Sequence, residues 1–570
     1  MTELGWMALL APVVAGGAAE TYRRWKHGRK EAASASLASS LGRLARGLVQ
    51  RLPAADAPHA PCTPERLRRT LRSALHGEGL VVVAQREPYI HEKGADGSIQ
   101  VRHPASGLVT ALEPVLSACS GVWVAHGGGS ADRETVDAND RLFCPPGEKA
   151  YRLKRIWLSK DEERGFYEGF SNEGLWPLCH IAHERPTFRA EDWRHYQEVN
   201  RRFAEAACSE SRGPDPILLV QDYHFALVPG LVRQRLPDAA LLTFWHIPWP
   251  NAEQLGICPF AKEILVGLLG SSILGFHTQR HCNNFIDAVD RLLEARIDRD
   301  RQAVVLGGRT TLIRAYPISI EWPPRWLASA PSVDRCRSSV REELGLAPDS
   351  LLGLGVDRLD YTKGIEERLL AVELLLERHE ELRGRFVFVQ LADPSRTGIA
   401  RYQRLGEDVE ALVGRINARF GSGTYAPIVL RRAHHEPPEV FRYYRAADVC
   451  YVSSLHDGMN LVAKEFVAAR DDCRGVLVLS VFAGAAGELA EALVVNPYDL
   501  DRAADALAAA LAMPLEEQSE RLRAMRTRIA DANVYLWAER MILDAARHRL
   551  SGRLQQRLAA PDRSSVERPG

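Results

Sequence analysis

Short apolar runs recur along the chain, each closed by Gly, Pro or charged residues and followed by a stretch with helical spacing. Leu80-Val81-Val82-Val83-Ala84, Val122-Trp123-Val124-Ala125, Ile217-Leu218-Leu219-Val220, Ala240-Leu241-Leu242-Thr243-Phe244, Ile273-Leu274-Gly275-Phe276 and Thr311-Leu312-Ile313 form one series. Leu351–Val356, Phe386–Leu391, Asp448–Val452 and Val476–Ser480 form a second. Runs that are apolar throughout, rather than alternating, predict strands of parallel sheets covered by helices on both faces. The fold class is therefore α/β, with two parallel-sheet domains, 76–330 and 331–550, joined by a Pro- and Ser-containing link that ends near Ser332. Residues 1–75 read as an extension and linker, partly helical or disordered. The folded body is expected to begin near Leu80, the stretch from Ala503 to Leu550 to be mostly helical, and 551–570 to be a disordered tail.

Polar residues gather where these strands stop, which is where open α/β sheets bind ligands. Asp222 ends the third strand of the first series; His246, followed by Pro248 and Pro250, ends the fourth. Each such residue alone reads as structural, and their shared location makes the case. Arg86 follows the first strand, placed for a phosphate that a guanidinium can fork; a surface arginine is the alternative. Pro104 to Leu112 runs from a small-residue loop containing Ser106 and Gly107 into a helix, which allows backbone to approach a diphosphate. Tyr167 to Pro177 mixes aromatics with hydroxyls and amides, suited to a sugar ring, although core packing accounts for Phe170 and Trp176 almost as well. In the second series, Arg358 and Lys363 set two cations beside a helix start, a diphosphate site. Arg396 follows the strand ending at Leu391. Most informative is Ser454 to Glu465: a buried strand ends, Asp457-Gly458 turns, and a helix begins near Asn460 with Asp457 and Glu465 bracketing the loop. Free N–H groups and two carboxylates there can hold an anion and sugar hydroxyls.

Composition narrows the classes. Lys+Arg and Asp+Glu are both 73, so the net charge is zero and nothing points to nucleic acid or an acidic polymer. The 10 cysteines show no CxxC pair and no Cys/His cluster, so neither a disulfide framework nor a zinc site is expected and the thiols fit a reduced, cytoplasmic setting. The apolar segment 4–19 is too short to span a bilayer and carries its positive charges (Arg23, Arg24, Lys26, Arg29) after the run, unlike a signal peptide. A surface helix, a helix that touches a membrane through residues 4–19, and a disordered start all stay open; the segment reads as a peripheral, non-catalytic extension.

Taken together, Gln221-Asp222-Tyr223-His224, His246-Ile247-Pro248-Trp249-Pro250, Arg358-Leu359-Asp360-Tyr361-Thr362-Lys363-Gly364 and Asp457 through Glu465 resemble the trehalose-6-phosphate synthase family, with Phe482–Ala486 and Asn496-Pro497-Tyr498 also matching. The resemblance covers about residues 80 to 545. It implies a GT-B fold, two Rossmann-like domains facing a central cleft, and a retaining hexosyltransferase that moves glucose from a nucleotide sugar, usually UDP-glucose, to glucose 6-phosphate without a cofactor or metal. It implies catalytic roles for His246, Arg358, Lys363 and Asp457. Donor binding falls to Ser106, Gly107, Arg358, Lys363, His435, Asp457, Met459, Asn460, Leu461, Val462 and Glu465, and acceptor binding to Arg86, Tyr167, Trp176, Asp222 and Arg396. A homo-oligomer is expected. Four departures bear on the substrates: Ser106 in place of a glycine, His456 in place of an arginine, His435 in place of an aromatic, and His126 in place of a tryptophan. Related readings are a glucosylglycerol-phosphate synthase using glycerol 3-phosphate, a cyclitol-joining pseudo-glycosyltransferase, a glycogen-type synthase, and an idle sugar-phosphate sensor.

Overall fold

The computed structural model describes residues 61–75, 79–103, 107–213 and 215–559; the expectations for residues 1–60, Ser106 and 560–570 lie outside the described residues. Two sheets organise the chain. In the first, seven strands run parallel, in spatial order Arg309–Ala315, Ile273–Phe276, Ala240–Phe244, Ile217–Gln221, Leu80–Val83, Val122–His126 and Tyr151–Ile156; antiparallel strands extend both edges. The second has six parallel strands, in order Ile428–Arg431, Phe386–Asp393, Leu351–Arg358, Val449–Val452, Val476–Ser480 and Leu493–Val495. Their central strands are buried over their whole length, Leu80–Val83 and Val449–Val452 alike. That is why they read as unbroken apolar runs.

Strand order reverses once in each sheet, and a crevice opens there beyond the carboxyl ends. In the first sheet the reversal lies between Leu80–Val83 and Ile217–Gln221, so Arg86 and Asp222 flank it. In the second it lies between Leu351–Arg358 and Val449–Val452, so Arg358 and the Ser454–Asn460 loop flank it. The two crevices face each other. Gly458 packs so closely on the His246 carbonyl that any side chain there would run into it.

Three boundaries differ from the sequence reading. Residues 64–75 are not linker: Pro64–Leu75 is a helix whose Leu67 and Leu71 are buried in the core. Pro64 occupies its first turn, where a missing N–H costs nothing. Cys62, Arg66 and Thr70 all reach Glu539, which ties this helix to the last one. That last helix, Val534–Ala559, runs past residue 551, so the tail is helical to Ala559. Leu, Gln and Arg there outweigh the roughly 1 kcal/mol cost of Gly552 in a helix. The helix also leaves the second sheet and covers the first, with the Trp537 ring 5.2 Å from that of Phe244. The carboxyl-terminal segment therefore belongs with the first half.

Among the described residues no helix is long and apolar enough to cross a membrane, and no group of His, Cys, Asp and Glu could hold a metal ion. All ten cysteines are free.

Candidate active site

A cavity of about 400 Å³ lies between the two crevices. Arg358, Lys363, Asp457, His246 and Asn460 line one end; His435, Pro437, Val440, Phe441 and Glu465 line the other. Met459, Leu461 and Val462 form its floor at the start of the helix Leu461–Ala469.

The Asp457 carboxylate sits at the centre of the polar end. Its Oδ2 lies 2.5 Å from Lys363 Nζ and accepts from Asn460 Nδ2 at 3.2 Å. Burial acts to raise its pKa, but the Lys363 ammonium outweighs this and holds it well below the ordinary carboxylate range. Asn460 has φ +74°, and its Oδ1 accepts the Ala463 N–H at 3.1 Å. This strained cap turns the Met459–Val462 backbone into the cavity, where the helix's first N–H groups face any anion. Gly364, also left-handed at φ +60°, opens the helix Ile365–Arg378 behind Lys363.

His246 projects from the opposite wall. Its Nε2 lies 2.6 Å from Gln221 Oε1, and its backbone N–H donates to Asp222 Oδ1 at 3.1 Å. Burial lowers its pKa to about 3, so the ring is neutral near pH 7. Asp222, with φ +72°, also accepts the Tyr223 N–H at 2.9 Å; burial pushes its carboxyl up to about 7.

Beside this cavity lies a second cationic pocket. Arg396 has φ +50° and a buried side chain, its guanidinium 3.9 Å from the Trp176 ring centroid; Arg358 stands 5.5 Å from the same ring. Arg396 Nη1 donates to Asp360 Oδ2 at 2.8 Å, while its Nε has no partner within the protein. Tyr167 stacks on His224 at 5.6 Å. Burial acts to raise the Tyr167 phenol, yet the guanidinium groups of Arg86, Arg396 and Arg358 outweigh it and bring it down to about 8. Three guanidinium groups and a spare N–H donor converging on one phenol make an anion site.

The structure thus brings together Arg86, Tyr167, Trp176, Asp222, His246, Arg358, Lys363, Arg396, His435, Asp457, Met459 to Val462 and Glu465. Gly107 opens the helix Gly107–Cys119. The glycosyltransferase family 20 model matches residues 78–547. The chain belongs to glycosyltransferase family 20. A trehalose-6-phosphate synthase of Mycobacterium avium is 41% identical over 488 residues, covering 84% of this chain and 97% of that one. A bifunctional trehalose-6-phosphate synthase/phosphatase of Thermoproteus tenax is 40% identical over 470 residues; the match covers 80% of this chain and 62% of that longer relative. An E. coli structure described as bound with UDP-2-fluoro glucose superposes with a TM-score of 0.73 at 32% identity, covering 82% of this chain and 98% of that one. A UDP-forming alpha,alpha-trehalose-phosphate synthase of Burkholderia xenovorans, in complex with glucose-6-phosphate, gives 0.73 at 32%, covering 82% and 99%. The two facing sheets are those of a GT-B enzyme.

Within this family 20 site, several residues escaped the sequence reading. Tyr444 donates to Glu465 Oε2 at 3.0 Å and fixes it at the cavity edge. Glu321, Arg325 and Trp326, read as linker, form the cavity's third wall. Tyr535 from the last helix donates to Glu321 at 2.6 Å, and Arg325 Nε donates to Glu321 at 2.9 Å. A chain that joins two facing sheets must pass beside their cleft, and that was the available signal. Asp360 carried no role although it sits inside a quoted motif. Of the departures, His435 lines the cavity, its Nδ1 3.1 Å from Glu439 Oε2 one turn on. His456 Nδ1 instead lies 2.9 Å from the His180 carbonyl oxygen, where the two halves meet. His126 is buried at the end of its strand, with Asp132, Arg202 and Glu162 as its charged neighbours, and its pKa is lowered to about 4 by burial.

Proposed function

We propose that the protein transfers glucose, with retention, from a nucleotide sugar to glucose 6-phosphate, giving alpha,alpha-trehalose 6-phosphate, with UDP-glucose as donor. The observation that carries this reading is the second anion pocket beside the donor cavity. A glucan-extending enzyme has no use for Arg86, Arg396 and a phenol held at about 8 by guanidinium groups, whereas a phosphorylated acceptor does. The names of the relatives support the same substrates.

In this reading the donor's diphosphate sits against Arg358, Lys363 and the N-terminus of the helix Leu461–Ala469. As the glycosidic bond breaks, negative charge grows on the leaving phosphate oxygen. Two cations fixed in a partly dry cavity stabilise it without reorganising. Asp457, kept ionised by Lys363, accepts hydrogen bonds from the glucosyl hydroxyls, and neutral His246 does the same from the other wall. Glu465, held by Tyr444, takes the ribose hydroxyls, and His435 faces the base. The acceptor enters phosphate first onto Arg86, Tyr167 and Arg396. Its hydroxyl approaches on the face the diphosphate leaves, so the anomeric configuration is kept and no protein nucleophile is needed. Arg358, Lys363, Asp457 and Glu465, all four present in the cavity lining, argue against an idle sensor, and free thiols agree with a reducing compartment.

The test is nucleoside diphosphate release from UDP-, GDP- and ADP-glucose, each with glucose 6-phosphate or glycerol 3-phosphate. Release with UDP-glucose and glucose 6-phosphate is expected. Release only with glycerol 3-phosphate would transfer the protein to the glucosylglycerol branch, and release with neither would remove the reading.

A further inference from the structure

Asp360 is completely buried between the two pockets and has both carboxylate oxygens committed. Oδ2 accepts Arg396 Nη1 at 2.8 Å. Oδ1 accepts the Thr362 N–H at 3.0 Å and the Thr362 hydroxyl at 2.9 Å. The Asp360 carbonyl accepts the Lys363 N–H at 3.0 Å, closing the tight turn Tyr361–Lys363 that delivers the ammonium to Asp457. One side chain therefore holds the arginine of the anion pocket with one oxygen and the lysine-bearing turn of the donor cavity with the other. Burial acts to raise its pKa, but Arg396, Arg358 and Lys363 keep it ionised.

The remaining contacts of Arg396 bond no other group of the turn. Tyr402 also accepts from Nη1 and packs its ring 5.5 Å from that of Tyr361, an apolar contact at the start of the turn, and the Tyr223 hydroxyl lies 3.5 Å from Nη2; Asp360 alone joins Arg396 to the turn by hydrogen bonds among the described residues. The unpartnered Nε of Arg396 is left for a ligand. A phosphate that engages it fixes the guanidinium plane against Trp176, and through Oδ2 and Oδ1 it fixes the turn as well.

We propose that Asp360 is a positioning residue that couples acceptor-phosphate binding to donor-diphosphate binding. The proposal rests on the two-anion reading of the site given above. The first ligand to bind orders Arg396, Asp360 and the Tyr361–Lys363 turn together, so the second meets a site already ordered. Coupling of this kind is reciprocal: each ligand must tighten the other by the same factor.

The experiment is calorimetric titration of the full chain with UDP, with and without saturating glucose 6-phosphate, and the reverse. Wild-type protein is expected to bind UDP about tenfold tighter with glucose 6-phosphate present, within the usual range of such couplings. Asp360→Asn keeps an oxygen for Thr362 but loses the charge that holds Arg396. It is expected to bring the factor to about one, to weaken glucose 6-phosphate about tenfold, and to leave UDP alone within about threefold. Thr362→Val removes the hydroxyl bond from the other side, and is the variant to use if Asp360→Asn does not fold. It should reduce the coupling factor about threefold with glucose 6-phosphate alone unchanged. An undiminished factor in either folded variant overturns the proposal, as does an equal loss of UDP affinity in Asp360→Asn, which would make the residue merely structural. A wild-type factor of one also overturns it. A wild-type chain that binds neither ligand overturns the two-anion reading itself, and the proposal with it.

Discussion

Tyr167 carries the charge state of the anion pocket. Its phenol titrates near 8 rather than about 10 because three guanidinium groups favour the phenolate more than burial opposes it. A bound phosphate reverses that balance, since a dianion beside the ring favours the neutral phenol. Below pH 8 the phenol is already protonated and binding takes up no proton. Above it, binding must protonate the ring, so acceptor affinity falls by up to about tenfold per pH unit. The phosphate is a dianion across this range, its second pKa being about 6. The KM for glucose 6-phosphate measured from pH 7 to about 9.5 should therefore rise above pH 8 in the wild type and stay flat in Tyr167→Phe. A rise of equal size in Tyr167→Phe would assign the titration to another group. At this scale the sequence was informative where one motif holds neighbouring residues, as with Arg358 and Lys363 or with Asp457 and Asn460. It was silent where partners come from distant segments: Tyr444 reaches Glu465 from another helix, and Tyr535 reaches Glu321 across 214 residues. Asp360 was in view, but its task depends on where Arg396 folds back.

Among the elements, the helix Pro64–Leu75 was hardest to read, because a cluster of prolines before it resembled a linker. What makes it an element is an apolar face, Leu67 and Leu71, that is buried in the core. Arg66 and Thr70 on the same helix bond Glu539 of the last helix. This separates two truncations. Removing residues 1–60 takes away the segment that the sequence reads as a peripheral, non-catalytic extension, so turnover in solution should match the full chain. Removing 1–75 strips Leu67 and Leu71 from the core. Leu67→Ala alone should cost about 2–5 kcal/mol, seen as a lower unfolding midpoint in denaturant. If the 76–570 chain melted with the full-length protein, the helix would be shown to contribute nothing. The fully buried strands, by contrast, were legible almost to the residue, since such strands leave unbroken apolar runs, whereas the partly exposed parallel strands Tyr151–Ile156, Ile428–Arg431 and Leu493–Val495 were not read. The helical residues beyond 551 were not, because a single glycine was given more weight than the helix formers around it.

For the whole molecule, the chain order and the spatial order disagree at one place. The second sheet ends at Val495, but the chain returns to the first and sets Trp537 against Phe244, 6.5 Å from the His246 ring. Trp537→Ala should therefore act on the site and on stability together. A loss of about 3–5 kcal/mol is expected from the cavity, with a reduced kcat because His246 loses its backing. Full turnover in a destabilised variant would show that His246 is held by Gln221 and Asp222 alone. The sequence reading divides the chain at 330 on a Pro- and Ser-containing link and the second alternation after it, and neither signal registers a helix that crosses back.

That crossing also fixes a timetable. The ribosome delivers the first sheet early, and amino-terminal parts of a protein generally fold as they emerge. Here the cover for Phe244 and for the helix Pro64–Leu75 is made only after both sheets. The earliest-made half waits, with an oily face open, until the segment from Val534 has emerged. The wall that carries His246 therefore gains its backing from Trp537 late, long after its own strand has been made.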